Sequence, residues 1–194
     1  MNFWLHLKSY IFKIFRKEIP FNVLDKELLI RGIVHPMYYS NSNQAIKREA
    51  FLPPSNSCDV SLLRRLYTND DFCKERFAKL KLGDSIYCGI ATFFMFHVEE
   101  IKNTIVVAER VEVTVKGTPL DDKGNYITTP PVYKKNPGTP MHADLVYESP
   151  ILKGQPNTKH RKFASKLAKK ANYFSDPYPM SSRWQGEKLK WINK

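Results

Sequence analysis

Residues 85–98 read SIYCGIATFFMFHV, a nearly continuous apolar and aromatic run that is too hydrophobic for a half-exposed element. A run of this kind fits a strand buried on both faces, so it predicts the centre of a sheet. Downstream, residues 104–117 (TIVVAERVEVTVKG) alternate Val107, Ala108, Val111, Val113 and Val115 with charged residues in the second half, the pattern of a strand with one wet face. The two segments are expected to be neighbours in the sheet. Upstream, DKELLIRGIVHP (25–36) predicts a strand that stops at Pro36, and DVSLLRRLY (59–67), after the turn-rich LPPSNS, predicts another.

Helices are expected on either side of these strands. In NDDFCKERFAKLKLG, Asn69 or Asp70 offers an N-cap and Gly83 a stop. From Thr118 to Pro140 five prolines and no period predict a long loop, and loops of that length in a compact domain are usually functional or mobile. A short strand MHADLVYE (141–148) follows. Then KHRKFASKLAKK (159–170) sets Phe163, Leu167, Ala168 and Ala171 at helical spacing. The order of elements predicts an α+β domain with a mostly antiparallel sheet, flanked by an N-terminal amphipathic helix, a middle helix and a basic C-terminal helix. The expected boundaries are 1–20 for the N-terminal helix, 21–174 for the domain and 175–194 for an irregular basic arm in which Trp184 and Trp191 pack on something.

The N-terminal segment reads as an amphipathic helix. Phe3, Trp4, Leu7, Tyr10, Ile11, Ile14 and Phe15 fall on one arc of a helical wheel, opposite His6, Ser9, Lys13, Arg16 and Lys17, and Pro20 ends the pattern. Lysines interrupt the apolar content and no small-residue cleavage site follows, so it makes a poor secretory signal. Docking on the protein's own core, on a partner protein or in a membrane interface are all compatible with it.

The chain has 194 residues and a formal charge of +12, which points to an anionic partner. That charge is not evenly spread. Residues 151–194 hold eleven Lys/Arg against Asp176 and Glu187, a net of +9, and residues 1–20 carry +3, so the body from 21 to 150 is neutral. Cys58, Cys73 and Cys88 are odd in number and lack C-x-x-C spacing, which argues against a disulfide framework or a zinc site. No apolar run reaches eighteen residues. The chain therefore reads as cytosolic.

The set RGIVHP (31–36), AF (50–51), VSLLR (60–64) and MHADLVY (141–147), followed by an Ala/Lys-rich helix, resembles a loosely defined group of small bacterial proteins. Members of that group carry an Arg/His-Pro-like start, an Ala-Phe, a Ser-Val-like strand and an Ala-His-Ala-x-Val strand before a final helix; Met141 stands here in place of the alanine. The resemblance spans about 31–171. It implies the order of elements, draws attention to His35 and His142, and implies no activity.

Two functional expectations follow. The first is nucleic-acid binding, RNA in preference to duplex DNA. Lys159, Arg161, Lys162, Lys166, Lys169 and Lys170 would hold phosphates, and Arg183 and Trp184 of the arm would add charge and stacking. Attached to it is a metal-independent ribonuclease site, in which His35 and His142 act as general base and acid, Arg31 grips the phosphate and Ser61 lies beside them. The second expectation is a non-catalytic interaction protein that docks on an acidic partner or a membrane surface through its N-terminal helix and basic tail. His97 beside Glu99 and Glu100 has no second histidine at ligand spacing, and neither G-x-G-x-x-G, G-K-[ST] nor G-x-S-x-G occurs, so no metal or cofactor is expected.

Overall fold

The computed structural model describes residues 18–80, 82–132, 136–151 and 157–189. The expected amphipathic segment 3–15 and Trp191 lie outside the described residues. Strand β1 (Leu28–His35) sits inside the sheet and buries seven of its eight residues, which is why LLIRGIVH is apolar on both faces. It lies between β4 (Asp59–Arg64) and β5 (Ile86–Phe94) in a six-stranded, wholly antiparallel sheet of order β6-β7-β4-β1-β5-β8. Strands β6 (Val113–Gly117) and β8 (Asn172–Ser175) form the edges, and β7 (His142–Tyr147) joins β6 to β4. A separate small hairpin pairs β2 (Tyr39–Ser40) with β3 (Ala45–Ile46). The protein is thus α+β with an antiparallel sheet.

Register fixes what each face carries, because directly paired residues share a face and alternate along the strand. One face bears Tyr147, Leu145 and Ala143 of β7, Leu62 of β4, Leu29, Arg31 and Ile33 of β1, Phe93 and Ala91 of β5, and Tyr173 of β8. Helix α3 (Thr158–Lys170) packs here, with Phe163 edge-on to Tyr147. It runs beside both helix α2 (Met95–Thr104) and the 3-10 turn Arg48–Phe51, whose Phe51 meets Phe93. The opposite face carries helix α1 (Asp70–Phe77), whose start is capped by the Asn69 side chain accepting from Phe72 N at 2.8 Å. A Cβ at Gly32 would lie 2.5 Å from the Phe77 ring, so glycine lets this helix sit directly on β1. Helix α1 contacts β1 and β5. Over β4, β7 and β6 this second face is polar.

Three expectations change. The run 85–98 is a strand only to Phe94; the chain then turns into α2, because Met95 N donates to Glu27 O (3.0 Å) and Phe96 N to Asp25 O (2.9 Å), giving the helix start backbone partners from a distant turn. Met95, Val98 and Ile101 then bury a helical stripe. Next, 104–117 is a strand only from Val113; Val106 and Val107 are exposed, and Val107–Glu109 forms a 3-10 turn. Because α2 carries the chain across the sheet, β5 and β6 are not neighbours but lie on opposite sides of the β4–β1 pair. Finally, α3 leads straight into edge strand β8, where the sequence pattern had suggested irregular chain.

The segment 176–189 has no regular structure yet is held firmly against α1. Lys74 Nζ pairs with Asp176 at 2.8 Å and donates to Tyr178 O at 2.6 Å, with both charged side chains buried. Trp184 N donates to Asp71 (2.8 Å) and Leu189 N to Asp70 (3.4 Å). Acids in the first turn of α1 thus serve as anchors for the arm. Among the described residues no helix is long and apolar enough to cross a membrane.

Candidate functional site

On the polar half of the sheet, His142 and Asp144 stand two residues apart on one face of β7, and Ser61 of β4 lies opposite Asp144. Thr118, just beyond β6, reaches back over them. Its hydroxyl donates to Asp144 Oδ2 at 2.7 Å, while its carbonyl lies 2.9 Å from His142 Nδ1, which fits an Nδ1–H tautomer. His142 Nε2 stands 3.8 Å from Asp144 Oδ1. Burial pulls the His142 pKa below its ordinary value, against the pull of Asp144 and the Thr118 carbonyl. At the end of β4, burial and the nearby Asp144 raise the Asp59 carboxyl. Asp144 and His142 are buried, Ser61 is exposed and the Tyr126 side chain stands out into solvent.

The four residues expected to form a ribonuclease site do not converge. Arg31 and His35 project from the face that carries α3, whereas Ser61 and His142 project from the other. His142 is in register with Leu63 and Ile30, and His35 lies five residues further along β1. At about 3.3 Å per residue and about 4.8 Å per strand, that separates the histidines by about 16 Å along the strands and about 10 Å across them. No single scissile group spans such a gap. Arg31 is spent on the fold: Nε donates to Ala50 O (3.1 Å), Nη2 to Tyr38 OH (3.2 Å) and Nη1 to Ser61 O (2.8 Å). The registered β1–β4 ladder has only two pairs, and this guanidinium supplies a donor to the Ser61 carbonyl beyond them. His35 is tied up within its own hairpin, Nδ1 to Tyr39 O (3.2 Å) and Nε2 to Asn41 (3.4 Å).

Helix α3 buries His160, Phe163, Ala164, Leu167 and Ala168 and presents its six cations outward. Two of them are answered by acids: Lys170 pairs with Glu100 of α2 at 2.7 Å, and Lys162 with Glu109 of the turn that follows α2. Those lysines hold both carboxyls below the usual carboxylate range. Lys166 reaches only the Thr104 hydroxyl, at 3.4 Å. Lys159, Arg161 and Lys169 are exposed, and together with Lys166 they face no carboxylate among the described residues. In the arm Arg183 is exposed, whereas Trp184 is half-buried with Nε1 donating to Glu187 O at 3.0 Å.

Sequence reasoning overlooked Thr118, Asp144 and Glu109, and weighed Glu100 only beside His97. Asp144 was within reach, since MHADLVY sets His142 and Asp144 on one face of a strand. The other three meet their partners only through tertiary packing. Among the described residues no group of three His, Cys, Asp or Glu side chains is placed to hold a metal ion. Comparison with family models, with curated proteins and with solved structures finds no match.

Proposed function

We propose that the protein binds nucleic acid, single-stranded RNA in preference to duplex DNA, along the outer surface of α3. The observation that carries this reading is the set Lys159, Arg161, Lys166 and Lys169, four cations on one helix with no carboxylate partner among the described residues. Like charges at i,i+4, such as Lys162–Lys166 and Lys166–Lys170, repel one another, and phosphates relieve that repulsion. A neutral body with its positive charge gathered downstream of residue 150 fits a surface that tracks a backbone without reading sequence. Part-exposed Tyr173, on the face of the sheet that carries α3, offers a ring to an unpaired base, which supports the preference for single strands. Strand cleavage by His35 and His142 is not part of the reading, because the two imidazoles lie on opposite faces of the sheet.

The test is the variant Lys159→Ala/Arg161→Ala/Lys166→Ala/Lys169→Ala, titrated against a labelled single-stranded RNA beside the wild type. Loss of four phosphate contacts is expected to flatten the salt dependence by about 2.8 in log K against log salt. An unchanged slope and affinity would remove α3 as the interface.

A further inference from the structure

The hairpin β2–β3 and edge strand β8 enclose a cleft of about 370 Å³, a size at the lower end of ligand pockets. We propose that this cleft receives one unpaired nucleobase of the strand that α3 holds, an inference that rests on the nucleic-acid reading and specifies it.

The cleft is opened by an irregularity of β5. Ile33 pairs with Gly89 and Val34 with Tyr87, so Cys88 is an unmatched extra residue that bends the strand. Cys88 lines the cleft, and burial raises the pKa of its thiol, which makes it a wall rather than a nucleophile. Tyr39 and Tyr173, both lining the cleft, stack on one another at 4.2 Å, and the Tyr173 hydroxyl donates to Cys88 O at 3.0 Å. These rings set a flat apolar wall.

The polar lining is made of neutral amides and a hydroxyl. Asn41 donates its amide N–H to His35 Nε2, which leaves Oδ1 as an acceptor. Gln44 uses one N–H on Asn41 O (2.8 Å) and its oxygen on Tyr39 OH (3.0 Å), which leaves a second N–H to donate. Ser175 supplies the hydroxyl. The carboxylate in the lining, Asp176, is already answered by Lys74 Nζ at 2.8 Å and Tyr178 N at 3.0 Å. Among the described residues no cation lines the cleft. A phosphate is therefore a poor fit, whereas a neutral, planar ring with donor and acceptor edges suits both the wall and the amides.

Position agrees with chemistry. Tyr173 and Ser175 project from the face of the sheet that carries α3. Ser175 follows Lys170 by five residues, so the backbone at the cleft lies within about 17 Å of the end of the helix. A strand with a phosphate on Lys169 is within reach of it. The His35 ring, expected to be catalytic, acts here as a positioning residue that orients Asn41.

The experiment compares a single-stranded oligonucleotide with an abasic chain of equal length and charge, using the full chain, Asn41→Ala and Gln44→Gly. Gln44 sits at φ 48, so glycine removes the amide without backbone strain. In parallel, amide chemical shifts are followed as free nucleosides are added. The wild type is expected to bind the oligonucleotide about tenfold more tightly than the abasic chain, a stacking-sized effect. Each variant should lose that preference while keeping its abasic affinity, and nucleosides should move the signals of Tyr39, Gln44 and Cys88. Equal binding of both chains by the wild type would overturn the base cleft and leave the α3 interface standing. If neither chain binds, the nucleic-acid reading fails, and the nucleosides decide: shifts confined to the cleft support a nucleobase site, and their absence overturns it.

Discussion

Glu100→Gln combined with Glu109→Gln should strengthen nucleic-acid binding, and the size of the effect follows from the charges on α3. In the native protein Glu100 and Glu109 occupy Lys170 and Lys162, leaving four of the six cations without a carboxylate partner among the described residues. For a single strand, each phosphate contact contributes about 0.7 to the slope of log K against log salt, so four contacts give about 2.8 and six about 4.2. Over the fourfold interval from about 50 to about 200 mM salt, the wild type should lose about fiftyfold in affinity and the double variant about sevenfold more. Fluorescence anisotropy with a labelled RNA at several salt concentrations reads both slopes directly. Each of the four side chains is at least 40% exposed, so the melting temperature should hardly move and the change in binding can be read without a stability correction. Identical slopes for the two proteins would show that Lys162 and Lys170 do not meet phosphate. A fall in affinity would refute the view that the acids compete with the ligand.

Two further outcomes concern the fold. Arg64 and Glu27 form a buried pair at 2.7 Å, and Arg64 also donates to Pro20 O and to Asn22 O, so Arg64→Met should cost about 3–5 kcal/mol by leaving Glu27 unpaired. Urea unfolding reads this; Arg64→Met/Glu27→Gln should be less damaged than Arg64→Met, and a single-variant loss under about 1 kcal/mol would contradict the clamp. Burial lowers the His142 pKa, so the unfolded chain takes up a proton first, near pH 6.5, and stability falls as pH drops from there toward the lower folded-state value. His142→Asn should remove that part of the acid sensitivity between about pH 5 and pH 7, and superimposable stability–pH curves would refute it.

How far the sequence could be read depended on whether a residue's partner is local. The cap at Asn69, the apolar stripe of α3 and the alternation in MHADLVY are local, and the start of α1, α3 and β7 lie where those signals put them, whereas α1 ends at Phe77 and not at the expected stop, Gly83. The turn at Phe94 was hidden because FFMFHV suits a buried strand and a helix equally, and the partners that start α2 come from Asp25 and Glu27, some seventy residues earlier in the chain. Strand β8 was hidden because NYFS is four residues long and gains its meaning only beside β5. The histidine pair failed for a related reason. Alternation tells which residues share a face within one strand, but whether His35 and His142 share a face depends on the register of β1 against β4 and of β4 against β7. Charge was legible as a sum and not as a surface, since Glu100 and Glu109 meet Lys170 and Lys162 only after folding. The arm is a further case: β8 belongs to the sheet and 176–189 is bound to α1, so deleting 151–194 would remove structure along with charge, and point substitutions on α3 are the cleaner test.

The most direct measurement is a titration of the wild-type protein against labelled single-stranded RNA and duplex DNA at about 50 and about 200 mM salt, with EDTA present. Binding that is tighter for the RNA and weakens about fiftyfold across that range is the predicted result. No binding at the lower salt, or binding that ignores salt, would contradict the assignment of α3 as a nucleic-acid surface.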